Sequence, residues 1–233
     1  MSLDQTLLES NIRRVLAHIE AARGRSANAA DHVRLVAVTK YVGADVLPQL
    51  AAAGVEIIGE NRLQPAAEKH AALDGPAGLD WHFIGTIQSN KVNDILTIFS
   101  TIHSIDSLKH ARDVDKRVAG QRRVPVMFEV NVAGEASKHG FTPQQLKKDF
   151  PALLRLEHLR PRGLMTMAPL VEDVELTRPV FAALRELRDE LAAEQALDDF
   201  TELSMGMTND YEIAVEEGAT LVRVGSALYE GLL

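Results

Sequence analysis

The sequence predicts an α/β protein, a single (β/α)8 TIM barrel with an extra N-terminal helix, from three observations. Eight short apolar runs alternate with helix-like segments along 233 residues. Each run is rich in Val, Ile, Leu or Met on both faces, as strands buried on two sides in a parallel sheet are. No Gly-x-Gly-x-x-Gly turn follows any run, which weighs against an open doubly wound sheet, and eight units in one domain point to closure.

The first segment is read as an amphipathic helix with Leu3, Leu7, Leu8, Ile12, Val15, Leu16 and Ile19 on one side, ending near Gly24. The expected strands are Arg34–Lys40, Glu56–Glu60, Asp80–Gly85, Thr101–Ile105, Val124–Val132, Arg162–Met167, Thr201–Met205 and Thr220–Val224. Helices are expected over Ala44–Ala53, Ser89–Ile98, Ser107–Ala119, Thr142–Leu156 and Val174–Glu194, with another starting near Asn209. Thr142 before Pro143 and Gln145 has the form of an N-cap with proline at the first helical position. The Gly/Pro-rich stretch Asp74–Gly78 is short enough for an ordinary connection, so residues 1–233 are expected to form one domain.

Bulk composition narrows the function classes. A chain that is 46% hydrophobic supports a sizeable core, and its formal charge of −8 lacks the basic footprint of a nucleic-acid binder. The absence of cysteine excludes disulfides, thiolate metal sites and thiol catalysis. Eight histidines are scattered without a His-x-x-x-His pair in a helix, so no metal site is expected. Acids at Asp4 and Glu9 are unlike a signal peptide, and no apolar stretch approaches the roughly 18 residues of a membrane span. A cytoplasmic, soluble protein is expected.

In a parallel barrel, functional groups gather at the carboxyl ends of the strands. Those ends carry Thr39-Lys40, Glu60-Asn61, His82, His103 with Asp106, Glu129 with Asn131, Thr166, Ser204-Met205-Gly206 and Arg223 with Gly225-Ser226. Unpaired polar groups in buried runs cost on the order of 1–3 kcal/mol, so they call for a reason. Lys40 closes its run, and a desolvated amine there would lose its proton readily and condense with a carbonyl. A lysine that merely ends the strand in solvent would look the same in sequence. Arg223 to Ser226, followed by a short helix, and Ser204 to Thr208 form two donor-rich turns suited to a phosphate, although glycine and serine are common in any strand–helix turn. His82 and His103 are read as barrel-mouth or satisfied core residues. The loop Gly134 to Gly140 fits a solvated connection or a lid over the mouth.

Seven stretches in order carry a resemblance. They are Leu35 to Lys40, Ile58-Gly59-Glu60-Asn61-Arg62, Trp81 to Gly85, Gln88-Ser89-Asn90-Lys91, Gly163 to Met167, Leu203 to Met207 and Val222 to Gly225. Through them the chain resembles the pyridoxal 5′-phosphate (PLP) homeostasis proteins, which look like the barrel half of bacterial alanine racemase. The resemblance implies that Lys40 carries PLP as a Schiff base and that Arg223 faces the pyridine nitrogen. It further implies that Gly225 and Ser226 bind the phosphate, with Ser204, Gly206 and Thr208 in the partner turn and Asn61 nearby. Two departures stand out: Thr86 replaces a usual histidine, and Thr208-Asn209 replaces a serine and an acid.

An arginine keeps its proton, so Arg223 would donate to an unprotonated ring nitrogen and leave the ring a weaker electron sink. The racemase's second domain, with its catalytic tyrosine, has no counterpart in this sequence. The resemblance therefore implies a PLP-binding protein of PLP homeostasis without evident catalytic turnover, a monomer whose partners are PLP and PLP-accepting apo-enzymes. A PLP-dependent amino-acid racemase is the alternative. A cofactor-free aldolase barrel and an interaction scaffold also stay open on the residues alone.

Overall fold

The computed structural model describes residues 4–73, 77–135 and 138–233. Leu3, Asp74 to Pro76 and the loop residues Ala136-Ser137 lie outside them. The eight strands are β1 (Arg34–Val38), β2 (Ile57–Glu60), β3 (Asp80–Phe83), β4 (Thr101–Ile105), β5 (Val124–Glu129), β6 (Leu159–Met165), β7 (Glu202–Ser204) and β8 (Leu221–Val224). They close into a parallel barrel in sequence order, with β8 pairing back onto β1 through Val36↔Arg223 and Ala37↔Val224. The expected (β/α)8 fold is thus observed, with boundaries shifted. β1 stops two residues before Lys40, β5 stops at Glu129, and β6 begins at Leu159 rather than Arg162.

The helices are α1 (Gln5–Arg23), α2 (Leu47–Ala52), α3 (Leu63–Ala72), α4 (Val92–Ile98), α5 (Leu108–Asp115), α6 (Pro143–Leu153), α7 (Arg178–Gln195) and α8 (Tyr211–Glu216). Caps set several of their starts: Asp4 accepts from the Leu7 amide, Ser107 from His110 and Thr142 from Gln145. After β8 the chain makes only a short 3-10 turn, Ser226–Leu228. The N-terminal helix α1 fills the vacant place in the helical ring, packing against α8, α2 and this final turn. Asn11, buried in α1, donates to the carbonyls of Leu228 and Glu230 and ties the chain end down. Leu16, expected on the inner face, is exposed, and Asn11 takes an inner position instead.

Most of the apolar core lies between strands and helices, where Trp81, Phe83 and Phe99 meet edge to face, as do Phe128 and Phe150. The barrel interior is different. Its apolar part is a small separate cluster of Val36, Ile57, Met127, Met165 and Leu221. Much of the rest is polar, and that interior reaches the functional end. Among the described residues, no helix is long and apolar enough to cross a membrane.

Candidate functional site

The strand ends converge on an open cavity of about 530 Å³, within the usual range of about 300–1,000 Å³ for small-molecule sites. It is lined by Lys40 and Tyr41 after β1, Asn61 after β2, Thr208 after β7, and Arg223, Gly225 and Ser226 at and after β8. Four short segments far apart in sequence therefore meet, because barrel closure sets β8 beside β1. Lys40 is exposed, with its amine 4.7 Å above the Tyr41 ring. The desolvation expected at this position is not found. β1 ends at Val38, and the amine sits on the following turn at a mouth open to solvent.

The anion-facing side is built from the last two turns. Thr208 Oγ1 accepts from the Gly225 amide at 3.4 Å and lies 3.2 Å from the Ser226 hydroxyl. Gly206 does not line the cavity. Its φ of +89° and an inward face packed on Ala214 and Tyr211 let α8 close against the turn. The acid expected at position 209 appears one residue later, where the Asp210 carboxylate accepts from the Met207 amide at 2.6 Å. Burial raises the Asp210 carboxyl above its ordinary range despite that hydrogen bond.

Ser204 is fully buried and does not line the cavity. Its hydroxyl accepts from Arg223 Nη1 at 2.6 Å and meets His103 Nδ1 at 2.8 Å. Arg223 also donates from Nη2 to the Thr166 carbonyl at 2.9 Å. Burial pushes the Arg223 guanidinium down to about 10, against the pull of Glu129 and Asp210, so it remains a cation at neutral pH. His103 Nε2 lies 2.8 Å from His82 Nδ1, and His82 Nε2 lies 3.1 Å from the Asp80 carboxylate at the far end of the barrel. The two histidines are core residues paired with each other, and they connect to the mouth through Ser204.

His103 gives a pH expectation. Burial, then His82, Arg223 and Arg34, hold its imidazole well below the ordinary 6.5. Below about pH 6.5 the unfolded chain binds a proton at His103 that the folded chain refuses, so this group lowers stability as pH falls, by up to about 1.4 kcal/mol per unit. Glu129 and Asp210 act in the opposite sense, because burial raises both carboxyls and their contribution is lost as pH rises. The expected result is therefore a difference. Urea midpoints of wild type should fall faster than those of His103→Gln between about pH 6.5 and pH 5. Parallel curves would contradict a neutral buried His103.

Two further features were not visible as site residues in the sequence. Lys69 of α3 is buried, donating to Glu60 Oε1 at 2.5 Å and to the Thr39 carbonyl at 2.7 Å, directly beneath the segments that carry Lys40 and Asn61. Its place three residues after buried Ala66 was the available signal. A second cavity of about 770 Å³ adjoins the first through Asn61, Ile84 and Met167, with Arg62, Thr86, Lys91, Glu129 and His139 in its lining. Asn61 is held close by Gly85, where an added Cβ would lie 2.0 Å from the Asn61 carbonyl oxygen. The loop of residues 134–140 lies at the mouth in its described part: Lys138 donates to the Met167 carbonyl at 3.2 Å. Among the described residues, no cluster of three or more His, Asp or Glu could hold a metal ion.

A closed parallel barrel whose mouth brings an amine into one cavity with an arginine and a hydroxyl-lined turn defines a class, the small-molecule barrels that can grip a carbonyl compound carrying an anionic group. The chain belongs to the pyridoxal phosphate homeostasis protein family, and the family model described as "Alanine racemase, N-terminal domain" matches its residues 7–232. It is 42% identical over 224 residues to the pyridoxal phosphate homeostasis protein of Pseudomonas aeruginosa, covering 95% of this chain and 94% of that one. With the protein of that name from Aquifex aeolicus it is 40% identical over 219 residues, covering 94% and 95%. The solved structure of PipY from Synechococcus elongatus with PLP bound superimposes with a TM-score of 0.84 at 34% identity, covering 95% of this chain and 99% of that one. Alanine racemase of Clostridium difficile, at 16% identity and a TM-score of 0.73 over 59% of its chain, shares the fold.

Proposed function

We propose that this chain binds PLP through Lys40 and serves PLP homeostasis as a cytoplasmic, monomeric, single-domain binding protein over residues 1–233. The observation that carries this reading is that Lys40 and the Gly225-Ser226 turn line one cavity of suitable size. The residues present fit the cofactor. Thr208 and Ser226 offer hydroxyls, and the turn offers backbone amides, for a phosphate. Arg223 is a fixed cation beside them, suited to donating to a ring nitrogen. Among the described residues the buried Asn61 amide oxygen has no hydrogen-bond partner, which suits a donor group on a ligand. When bound, PLP supplies an aldehyde carbon that a neutral amine can bond reversibly with loss of water.

An exposed Lys40 fits a protein that gives its cargo up. Around the cavity Tyr41, Met167, Leu170 and Met207 are exposed apolar side chains. Such a rim suits contact with PLP-accepting apo-enzymes, the proposed partners.

Borohydride reduction of the PLP-treated protein, digestion and mass spectrometry test the reading. A pyridoxyl adduct on Lys40 and on no other lysine is expected; an adduct elsewhere, or none, defeats it. In deuterated water, α-proton exchange of L-amino acids at enzyme-like rates would replace the carrier reading with a racemase one.

A further inference from the structure

The barrel interior contains a chain of hydrogen bonds whose direction can be worked out. A guanidinium has donors only, so Arg223 Nη1 must donate to Ser204 Oγ. The single hydroxyl proton of Ser204 is then free to point at His103 Nδ1, 2.8 Å away, with that nitrogen as the acceptor. A His103 ring with Nδ1 bare carries its proton on Nε2 and donates to His82 Nδ1 at 2.8 Å. His82 in turn carries its proton on Nε2 and donates to Asp80 Oδ2 at 3.1 Å.

Every step runs the same way, from a cation at the mouth to a carboxylate at the opposite end. The reverse direction would need a second proton on the buried His82 ring. It would also leave the Ser204 hydroxyl proton with no acceptor in a fully buried place. Burial keeps His103 neutral, as the forward direction requires, and the hydrogen bond from His82 is the first cause holding Asp80 below its ordinary range. Ser100 Oγ donates to the other Asp80 oxygen, and Arg34, paired with Glu202 at 2.7 Å, is the nearby cation. At the mouth, Glu129 and Asp210 are the charged groups that act on Arg223.

Among the described residues, Arg223 has no carboxylate in hydrogen-bonding contact. Its two recorded partners are neutral, the Ser204 hydroxyl and the Thr166 carbonyl, and strand pairing fixes only its backbone. We propose that Ser204, His103, His82 and Asp80 are positioning residues that hold the Arg223 guanidinium in one orientation toward the ligand cavity. The orientation in which Arg223 meets the bound ring is thereby set from the closed end of the barrel. The second half of this inference rests on the PLP reading above, whereas the hydrogen-bond column does not.

The test separates the two. In ligand-free wild type, nitrogen NMR of the histidines should show His103 neutral with Nδ1 bare and Nε2 protonated. The Arg223 side chain should give separate, slowly exchanging Nη signals. Ser204→Ala and His103→Phe should merge those signals, while His103→Gln, which keeps one acceptor and one donor, should preserve them better than His103→Phe. With PLP added, Ser204→Ala should retain it about tenfold less tightly, the size of one lost hydrogen bond to a charged group, with a shifted absorption band. If PLP does not bind but the NMR results stand, the PLP reading fails and the column survives. An Nδ1-protonated His103 in wild type would overturn the column without any variant having to fold. Unchanged Arg223 signals in folded Ser204→Ala would overturn it as well.

Discussion

Lys40→Met is expected to abolish the covalent adduct entirely while changing stability by no more than about 1 kcal/mol. Lys40 is exposed, and its recorded interaction is the stacking of its amine over Tyr41, also exposed, so its removal takes little from the fold. Methionine keeps the unbranched stem and deletes the amine, which isolates the chemistry from the packing. The phosphate side of the cavity, at Thr208, Gly225 and Ser226, is untouched by the change. PLP should therefore still bind reversibly at raised concentration and be lost on desalting, whereas wild type keeps its yellow colour. The check is absorbance before and after gel filtration, beside a thermal melt. A variant that stays yellow and borohydride-trappable would assign the bond to another lysine. One that melts far below wild type would show that Lys40 supports the fold.

What could be read from the chain follows from what is coded locally. Two-sided burial writes itself into each strand as an apolar run, so all eight strands and the lysine, asparagine and arginine at their ends were legible. Register is not written locally. His82 pairs with Thr101, which puts His103 one layer nearer the mouth and brings the two imidazoles within 2.8 Å. Nothing in either strand alone encodes that meeting. Ser204 was misread for a related reason. The expected strand Thr201–Met205 already contained Ser204, yet the serine was also read as part of the phosphate turn; β7 ends at Ser204, and the alternation of a strand sends its side chain inward beneath Arg223. Lys40 was placed on a strand because it follows the apolar run Leu35 to Val38 with only Thr39 between, yet the ladder ends at Val38, and the open mouth leaves the amine in solvent.

Lys69→Met should cost roughly 3–5 kcal/mol, the range for removing one partner of a buried ion pair. Glu60 and Lys69 are both buried, and the lysine also satisfies the Thr39 carbonyl while Thr39 Oγ1 donates to the same Glu60 oxygen at 2.6 Å. Without the ammonium, Glu60 keeps one neutral donor for a buried negative charge, and its second oxygen already has no hydrogen-bond partner among the described residues. Against a total stability of about 5–15 kcal/mol, that loss is large. The double variant Lys69→Met with Glu60→Gln removes both charges and should recover much of it, because most of the cost is the stranded carboxylate rather than the lost attraction. Urea unfolding at neutral pH, with an unchanged denaturant slope, checks both. A single variant losing less than about 1 kcal/mol would mean that Glu60 takes up a proton or reaches water instead. The pair also joins the end of β1 to the end of β2, one residue before Lys40 and one before Asn61. Retention of PLP should therefore weaken in the single variant even where it stays folded, and return in the double variant in step with stability. Recovery of stability without retention would show that the charges themselves, rather than the clamp between the strand ends, act on the ligand.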